Sequence, residues 1–180
     1  SDNGAGIAAN EVELAFQRFA TSKLSGPQDL DAISTLGFRG EALPSIAAVS
    51  KVTLVTRTPS EHAGTRIEVA DGKVTGTQPE GAALGTAVTV RQLFSNFPAR
   101  RKFLRSPASE ASRVQSLTIR FALAYPGVRF QLTIDGSQVV SSSGSGDLRE
   151  VISDVYGASV AHAMLVLSDE HQRGEPGAPV

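Results

Sequence analysis

Lys51-Val52-Thr53-Leu54-Val55-Thr56-Arg57-Thr58 is the stretch that decides the fold class of this chain. It is rich in β-branched residues and nearly alternating, the period-two pattern of a half-buried strand. Upstream of it the periodicity is helical. Val12, Ala15, Phe16 and Phe19 recur at i, i+3, i+4 and i+7 behind a capping-box pair, Asn10 and Glu13, which predicts an amphipathic helix over 10–19. A short helix around 28–35 and another over 41–49, with Leu43, Ile46 and Ala47 inward, complete that region. Downstream the strand pattern returns at 65–69, 73–78 and 86–93, with Asp71-Gly72 as a hairpin turn.

Further along, Pro98 opens a helical turn reaching Leu104. Ser106-Pro107 then starts a longer helix to Tyr125, its expected inward stripe being Val114, Leu117, Phe121 and Ala124. A strand pair over 128–134 and 138–141 turns at Asp135-Gly136, followed by a helix at 147–156 and a strand near 163–167. Interspersed helices and hairpins, without strict βαβ alternation, describe an α+β fold with a mixed or antiparallel sheet covered by helices on one face. Ser141-Ser142-Ser143-Gly144-Ser145-Gly146 reads as a linker. It divides the chain into an expected first domain, 1–145, and the beginning of a second, 146–180.

Composition narrows the chemistry. Of 180 residues, 41% are hydrophobic and 19% charged, which suits a packed core and not a disordered chain. Zero cysteines exclude disulfides, zinc fingers and thiol catalysis. His62, His162 and His171 lack the short spacing of a metal site and read as surface residues. The sequence contains neither a G-x-x-x-x-G-K-[ST] phosphate loop nor a G-x-S-x-G nucleophile turn. No apolar run approaches the roughly 18 residues of a membrane span, so no membrane partner is expected. A net charge of −1 requires any nucleic-acid partner to be held by a local patch.

Two glycine-bracketed elements supply such local chemistry. In Asp2-Asn3-Gly4-Ala5-Gly6-Ile7 a carboxylate on a glycine turn can accept from the exocyclic amine of adenine, while Gly4 and Gly6 permit close approach of the backbone to a ring. A plain turn between two elements fits the same residues. In Gly37-Phe38-Arg39-Gly40-Glu41-Ala42-Leu43, glycines around an arginine at a helix start can gather N–H groups and charge on a phosphate, and a flexible connector is the alternative. Thr21, Ser22 and Lys23 offer hydroxyls and an ammonium to phosphate, or form a polar surface loop. Thr86, after Gly85, can bond a base nitrogen beside a carboxylate. From Arg91 to Arg105 there are five basic residues and no acidic one. Arg100, Arg101 and Lys102 are candidate DNA-phosphate ligands. Alternatively the run is a solvated helix end above a core of Phe94, Phe97, Phe103 and Leu104.

The ordered set D-N-G-x-G, A-T-S-K, G-F-R-G-E-A-L, G-T and L-F-x-N-x-P-A-R-R-K-F-L resembles the MutL family of DNA mismatch-repair proteins, part of the GHKL ATPase superfamily. It covers residues 1–140 and, more loosely, 147–167. The resemblance implies the Bergerat ATP-binding α/β sandwich, a mixed sheet with helices on one face, here lacking its first strand and helix. It also implies that Asp2 reads adenine with help from Thr86, and that Gly4 and Gly6 shape that wall. Thr21, Ser22, Lys23, Arg39, Gly40 and Leu43 would lie in or beside a lid over the phosphates. The implied cofactors are ATP and Mg²⁺. The implied partners are a MutS-type mismatch sensor, DNA held weakly by the basic cluster, and a second copy through the N-terminal region. A bacterial cytoplasmic homodimer is preferred, with a nucleus as the setting in a eukaryote.

Two departures shape the expectation of activity. The family's catalytic Glu and Mg²⁺-binding Asn precede D-N-G and have no counterpart here, and the later Lys that reaches the γ-phosphate falls beyond Val180. A milder departure is Phe19, where many relatives carry His. The parent protein is therefore expected to be an ATPase whose catalytic base lies upstream, with this segment alone inactive, weak in nucleotide binding and marginally stable. The alternatives are a non-catalytic DNA-binding or scaffold module of the same fold, and another GHKL ATPase such as a type II topoisomerase subunit or a histidine kinase.

Overall fold

The computed structural model describes residues 1–18 and 40–165, and the chain divides into two units, Ser1–Leu104 and Arg105–Val180. That division differs from the 145/146 boundary expected from the serine-glycine run. The helix expected at 28–35 lies outside the described residues.

The first unit is built on a sheet of β1 (Lys51–Arg57), β2 (Gly64–Ala70), β3 (Lys73–Glu80) and β4 (Gly85–Arg91), in the order β3-β2-β1-β4. Every pairing among the described strands is antiparallel. Asp71 and Gly72 turn β2 into β3 with φ of 52° and 74°, the paired left-handed conformations of a two-residue hairpin. Alternation in β1 carries Val52, Leu54 and Thr56 to the inner face. Across from them stand Val69, Ile67 and Thr65 of β2, and all six are buried. Val12 and Ala47 close over the four apolar residues of this set, with Ile7, Phe16 and Leu43 packed around them.

Two helical expectations are corrected here. Where an amphipathic helix is expected over 10–19, residues 10–18 form a series of turns that includes a 3-10 turn, Leu14–Phe16, and Phe19 lies outside the described residues. The apolar phase is nevertheless right, since Val12 is fully buried and Phe16 packs on the core. The capping box does not form: Glu13 instead accepts a hydrogen bond from the Thr77 hydroxyl on β3 at 3.0 Å. A glutamate committed to the sheet cannot reach back to an N-cap amide. The second helix, α1, runs Ala42–Ala47, and Ile46 is exposed on it while Ala47 and Leu43 face the core. Coverage of the inner face fades towards β4, where Val88 and Val90, opposite Leu54 and Val52, are 40% and 43% exposed.

Between β4 and the short helix α2 (Pro98–Lys102), Gln92 and Phe94 adopt φ of 55° and 58°. The Phe94 N–H donates to Val49 O at 2.8 Å, and the Asn96 amide donates to Asp71. These two bonds fold the segment back against the β2–β3 turn and α1.

In the second unit α3 (Pro107–Ala124) begins with Ser106 as N-cap, its hydroxyl accepting from Ser109 N–H. The hairpin of β5 (Gln131–Ile134) and β6 (Ser137–Ser141) follows, then α4 (Leu148–Tyr156), capped by Asp147, and α5 (Ala158–Ala163). The stripe expected to face inward on α3 does so only in part: Phe121 is half-buried and stacks on Phe130 at 6.5 Å, whereas Val114 and Leu117 are about half exposed, Ala124 is exposed, and Ala122 is the buried position. Its core is Ala122, Val140, Val151 and Ala161. The serine-glycine run is tied down, not free. Ser142 is buried and exchanges bonds with Phe130, while Ser143 N–H donates to Asp154. The strand expected near 163–167 is replaced at its start by α5, and residues from 166 onward lie outside the described set.

Candidate nucleotide-binding site

Asp2 is joined to the start of β4. Its N–H donates to Thr86 O at 2.8 Å, and its Oδ1 accepts the N–H of Thr86 at 3.2 Å and that of Gly4 at 2.9 Å. One carboxylate oxygen thus closes the local turn and also bonds a strand 84 residues away. Oδ2 takes no hydrogen bond from the described residues. Asp2 is exposed and Thr86 half-buried, so both are accessible to a ligand.

The loop carrying Asp2 is seated by two glycines. Gly85 is buried with φ of 101°, and a Cβ there would meet the Asp2 carbonyl and stand 2.8 Å from Asn3 Cα. Gly6 has φ of 73°, and a Cβ would press on the Arg57 carbonyl. Glycine at these two positions lets the loop lie directly on β1 and β4. Gly4 does not have positive φ; its contribution is the N–H that Asp2 accepts.

Two further residues, absent from the sequence-based site, hold the loop. Thr56 is fully buried, and its hydroxyl accepts the Ile7 N–H at 2.9 Å, lies 3.1 Å from Gly85 O and 3.0 Å from the Thr86 hydroxyl. Glu61, in the β1–β2 turn, accepts from Ala9 N–H at 2.8 Å, and from the Thr58 hydroxyl and N–H. These donors, Ala9 N–H foremost, hold the Glu61 carboxyl below its usual range. A polar residue at an inward strand position was the available signal for Thr56. Nothing in the sequence pairs Glu61 with Ala9, 52 positions apart.

Of the expected phosphate-side residues, Thr21, Ser22, Lys23 and Arg39 lie outside the described residues. Gly40 has φ of 61°, and the Leu43 side chain packs on the core cluster. Helix α1, expected to aim its N-terminus at an anion, is six residues long. Among the described residues no group of three or more His, Asp or Glu is placed to hold a metal ion. No described helix is long and apolar enough to cross a membrane.

The basic run sits on α2, where Arg100, Arg101 and Lys102 are all exposed and form no ion pair with a described carboxylate. Arg100 stacks over the Phe97 ring at 5.5 Å. The core expected beneath this run is not formed by Phe103, which is 86% exposed, nor by Phe97 and Leu104, which are exposed at 39% and 40%. Phe94 alone of that group is half-buried.

Comparison with known proteins supplies the context for this geometry. No family model matches the chain. It is 49% identical over 172 residues to the DNA mismatch repair protein MutL of Desulforudis audaxviator, covering 96% of this chain and 30% of the relative. Against MutL of Shouchella clausii the identity is 50% over 167 residues, covering 93% and 25%. The chain therefore spans about a quarter to a third of the length of these relatives. Among solved structures, the Aquifex aeolicus MutL ATPase domain complexed with ADP matches with a TM-score of 0.65 at 35% identity, over 86% of this chain and 54% of that one. The N-terminal domain of a DNA repair protein matches with a TM-score of 0.68 at 29% identity, over 88% and 47%. With the motifs in order and the Asp2–Thr86 connection in place, the chain belongs to the MutL family of DNA mismatch repair proteins.

Proposed function

We propose that this chain is the ATP-binding region of a MutL-type mismatch repair protein, and that Asp2 and Thr86 read the adenine base. The observation that carries this reading is the division of labour within one carboxylate: Oδ1 is held by two backbone amides, and Oδ2 is left to accept from a base. Similarity to an ATPase domain complexed with ADP supports the same ligand. Gly4, Gly6, Gly40 and Leu43, with Thr21, Ser22, Lys23 and Arg39, complete the proposed nucleotide set.

ATP binding would order the lid over the phosphates, bring two N-terminal regions together, and alter affinity for a MutS-type sensor and for DNA, with hydrolysis resetting the cycle. Hydrolysis needs a positioned base, a metal and stabilising charge. The described residues form no cluster of three or more metal-ligating side chains. By the family resemblance, the general base and the Mg²⁺-binding Asn would lie on the helix that precedes D-N-G. The setting proposed is the bacterial cytoplasm. The test is ATP turnover by the protein with its upstream sequence restored, wild type against Asp2→Asn. Slow Mg²⁺-dependent turnover that the substitution abolishes at ATP concentrations subsaturating for wild type is expected; turnover undiminished under those conditions refutes the assignment of Asp2.

A second role rests on α2, whose three exposed cations and unburied aromatics favour DNA contact over core support. Replacing Arg100 and Arg101 by Glu is expected to lower both DNA affinity and its salt dependence. Unchanged binding refutes this role.

A further inference from the structure

The Thr56 hydroxyl has more claims on it than its one proton can serve by donation. A threonine hydroxyl donates once and accepts twice. Of its three neighbours, the Gly85 carbonyl can only accept, the Ile7 N–H can only donate, and the Thr86 hydroxyl can do either. One arrangement satisfies all three contacts. Thr56 donates to Gly85 O and accepts from both Ile7 N–H and the Thr86 hydroxyl. The proton of Thr86 is then committed to Thr56, and Thr86 offers only lone pairs to anything outside.

Strand geometry enforces this contact. The N–H and C=O of Thr86 both bond Asp2, on the side away from β1, so Thr56 and Thr86 face each other as a non-hydrogen-bonded pair. Such pairs bring side chains closest together. Thr56 is fully buried in a strand whose partners flank it on both sides, so its side chain has no freedom to turn away. The Asp2 carboxylate, also an acceptor, is bonded to the backbone N–H of the same residue, Thr86.

We propose that Thr56 is a specificity-determining positioning residue. By committing the Thr86 proton, it makes Thr86 a second acceptor beside Asp2, so that together they select a base edge bearing an exocyclic amine. An amine carries two N–H groups for these two acceptors, whereas a keto oxygen in the same place would face lone pairs on both sides. If Thr86 were free to rotate, it could donate to that keto oxygen and the discrimination would weaken. This inference rests on the nucleotide-binding reading given above.

The test is the ratio of dissociation constants for ADP and inosine diphosphate, which carries the keto oxygen, measured by calorimetry on the protein with its upstream sequence restored. Thr56→Val releases the Thr86 proton and is expected to narrow the ADP preference by about tenfold, the worth of one such hydrogen bond. Thr56→Ser keeps the hydroxyl and should keep the ratio. General loosening of the loop weakens both ligands alike and leaves the ratio unmoved. Should Thr56→Val not fold, Thr86→Val removes the acceptor while leaving the buried hydroxyl, and is expected to narrow the ratio likewise. An unchanged ratio in a folded Thr56→Val or in Thr86→Val overturns the inference. Wild-type protein that binds both diphosphates equally overturns it alone; wild-type protein that binds neither overturns the nucleotide reading and this inference with it.

Discussion

Gly85→Ala is the substitution that most directly tests whether the Asp2 loop is seated as described. Two costs act at this site. At φ of 101° an alanine is held in sparsely populated backbone, at about 1–3 kcal/mol. Its methyl would also overlap the Asp2 carbonyl and lie 2.8 Å and 2.9 Å from Asn3 Cα and Asp2 C, all backbone atoms that cannot rotate away. Relief requires the loop to lift off β4. That motion breaks the Asp2 N–H to Thr86 O bond and the Thr86 N–H to Asp2 Oδ1 bond, together about 2 kcal/mol or more.

The total expected loss is about 3–5 kcal/mol in urea-denaturation free energy, with nucleotide binding lost at the same time. Two controls in the same unit separate the terms. Gly72→Ala, at φ of 74° with its Cβ no closer than 3.7 Å to Ala48 Cα, carries only the backbone cost of about 1 kcal/mol. Gly76→Ala meets nothing within 4 Å and has no positive φ, so it should be neutral or slightly stabilising. If Gly85→Ala falls no further than Gly72→Ala and still binds ADP, the loop is not seated on Gly85 and the site geometry is wrong.

Glu61→Gln should flatten the acid side of the stability profile. Because hydrogen bonds lower the folded-state pKa of Glu61 from its ordinary 4.5, its contribution is fully present above that value and is lost as pH falls through the lowered one. Urea midpoints measured from pH 6 downward should therefore drop more steeply for wild type than for the variant, and parallel curves refute the fastening role. Leu54→Ala, at the centre of the inner face with no exposed surface, should cost about 2–5 kcal/mol in the same denaturation assay. A loss below 1 kcal/mol would mean that β1 is not the centre of this core.

How much of this was legible in the sequence depended on the range over which each signal acts. The four strands of the first sheet and both Asp-Gly turns follow from alternation and turn chemistry, which are properties of neighbouring residues. In the stretch 10–18, Glu13 bonds Thr77, 64 positions away, a partner invisible to a local capping rule. On α3 the apolar residues are spread widely enough to permit more than one stripe. Packing chose the one through Ala122 and left Val114 and Leu117 outside. Within the site, Asp2, Gly6 and Thr86 were readable as types suited to a base pocket. Thr56 and Glu61 were not, since their importance lies in bonds spanning 49 and 52 positions.

The turn reading and the base-reading role of Asp2 are compatible, because they use different oxygens. A plain Asx-type turn explains the Gly4 N–H on Oδ1. It does not explain the Thr86 N–H on the same atom, or the absence of any described donor to Oδ2. Asparagine keeps a carbonyl oxygen for the first role and places an NH₂ donor where the second needs an acceptor. Asp2→Asn should therefore melt within about 0.5 kcal/mol of wild type, as substitutions that keep their hydrogen bonds do. Its affinity for ADP should fall about 10- to 100-fold, the worth of one charge-assisted bond. Asp2→Ala removes both oxygens and should lose stability as well as binding. If Asp2→Asn and Asp2→Ala lose stability equally, the carboxylate is serving the fold through both oxygens, and the base must be read elsewhere.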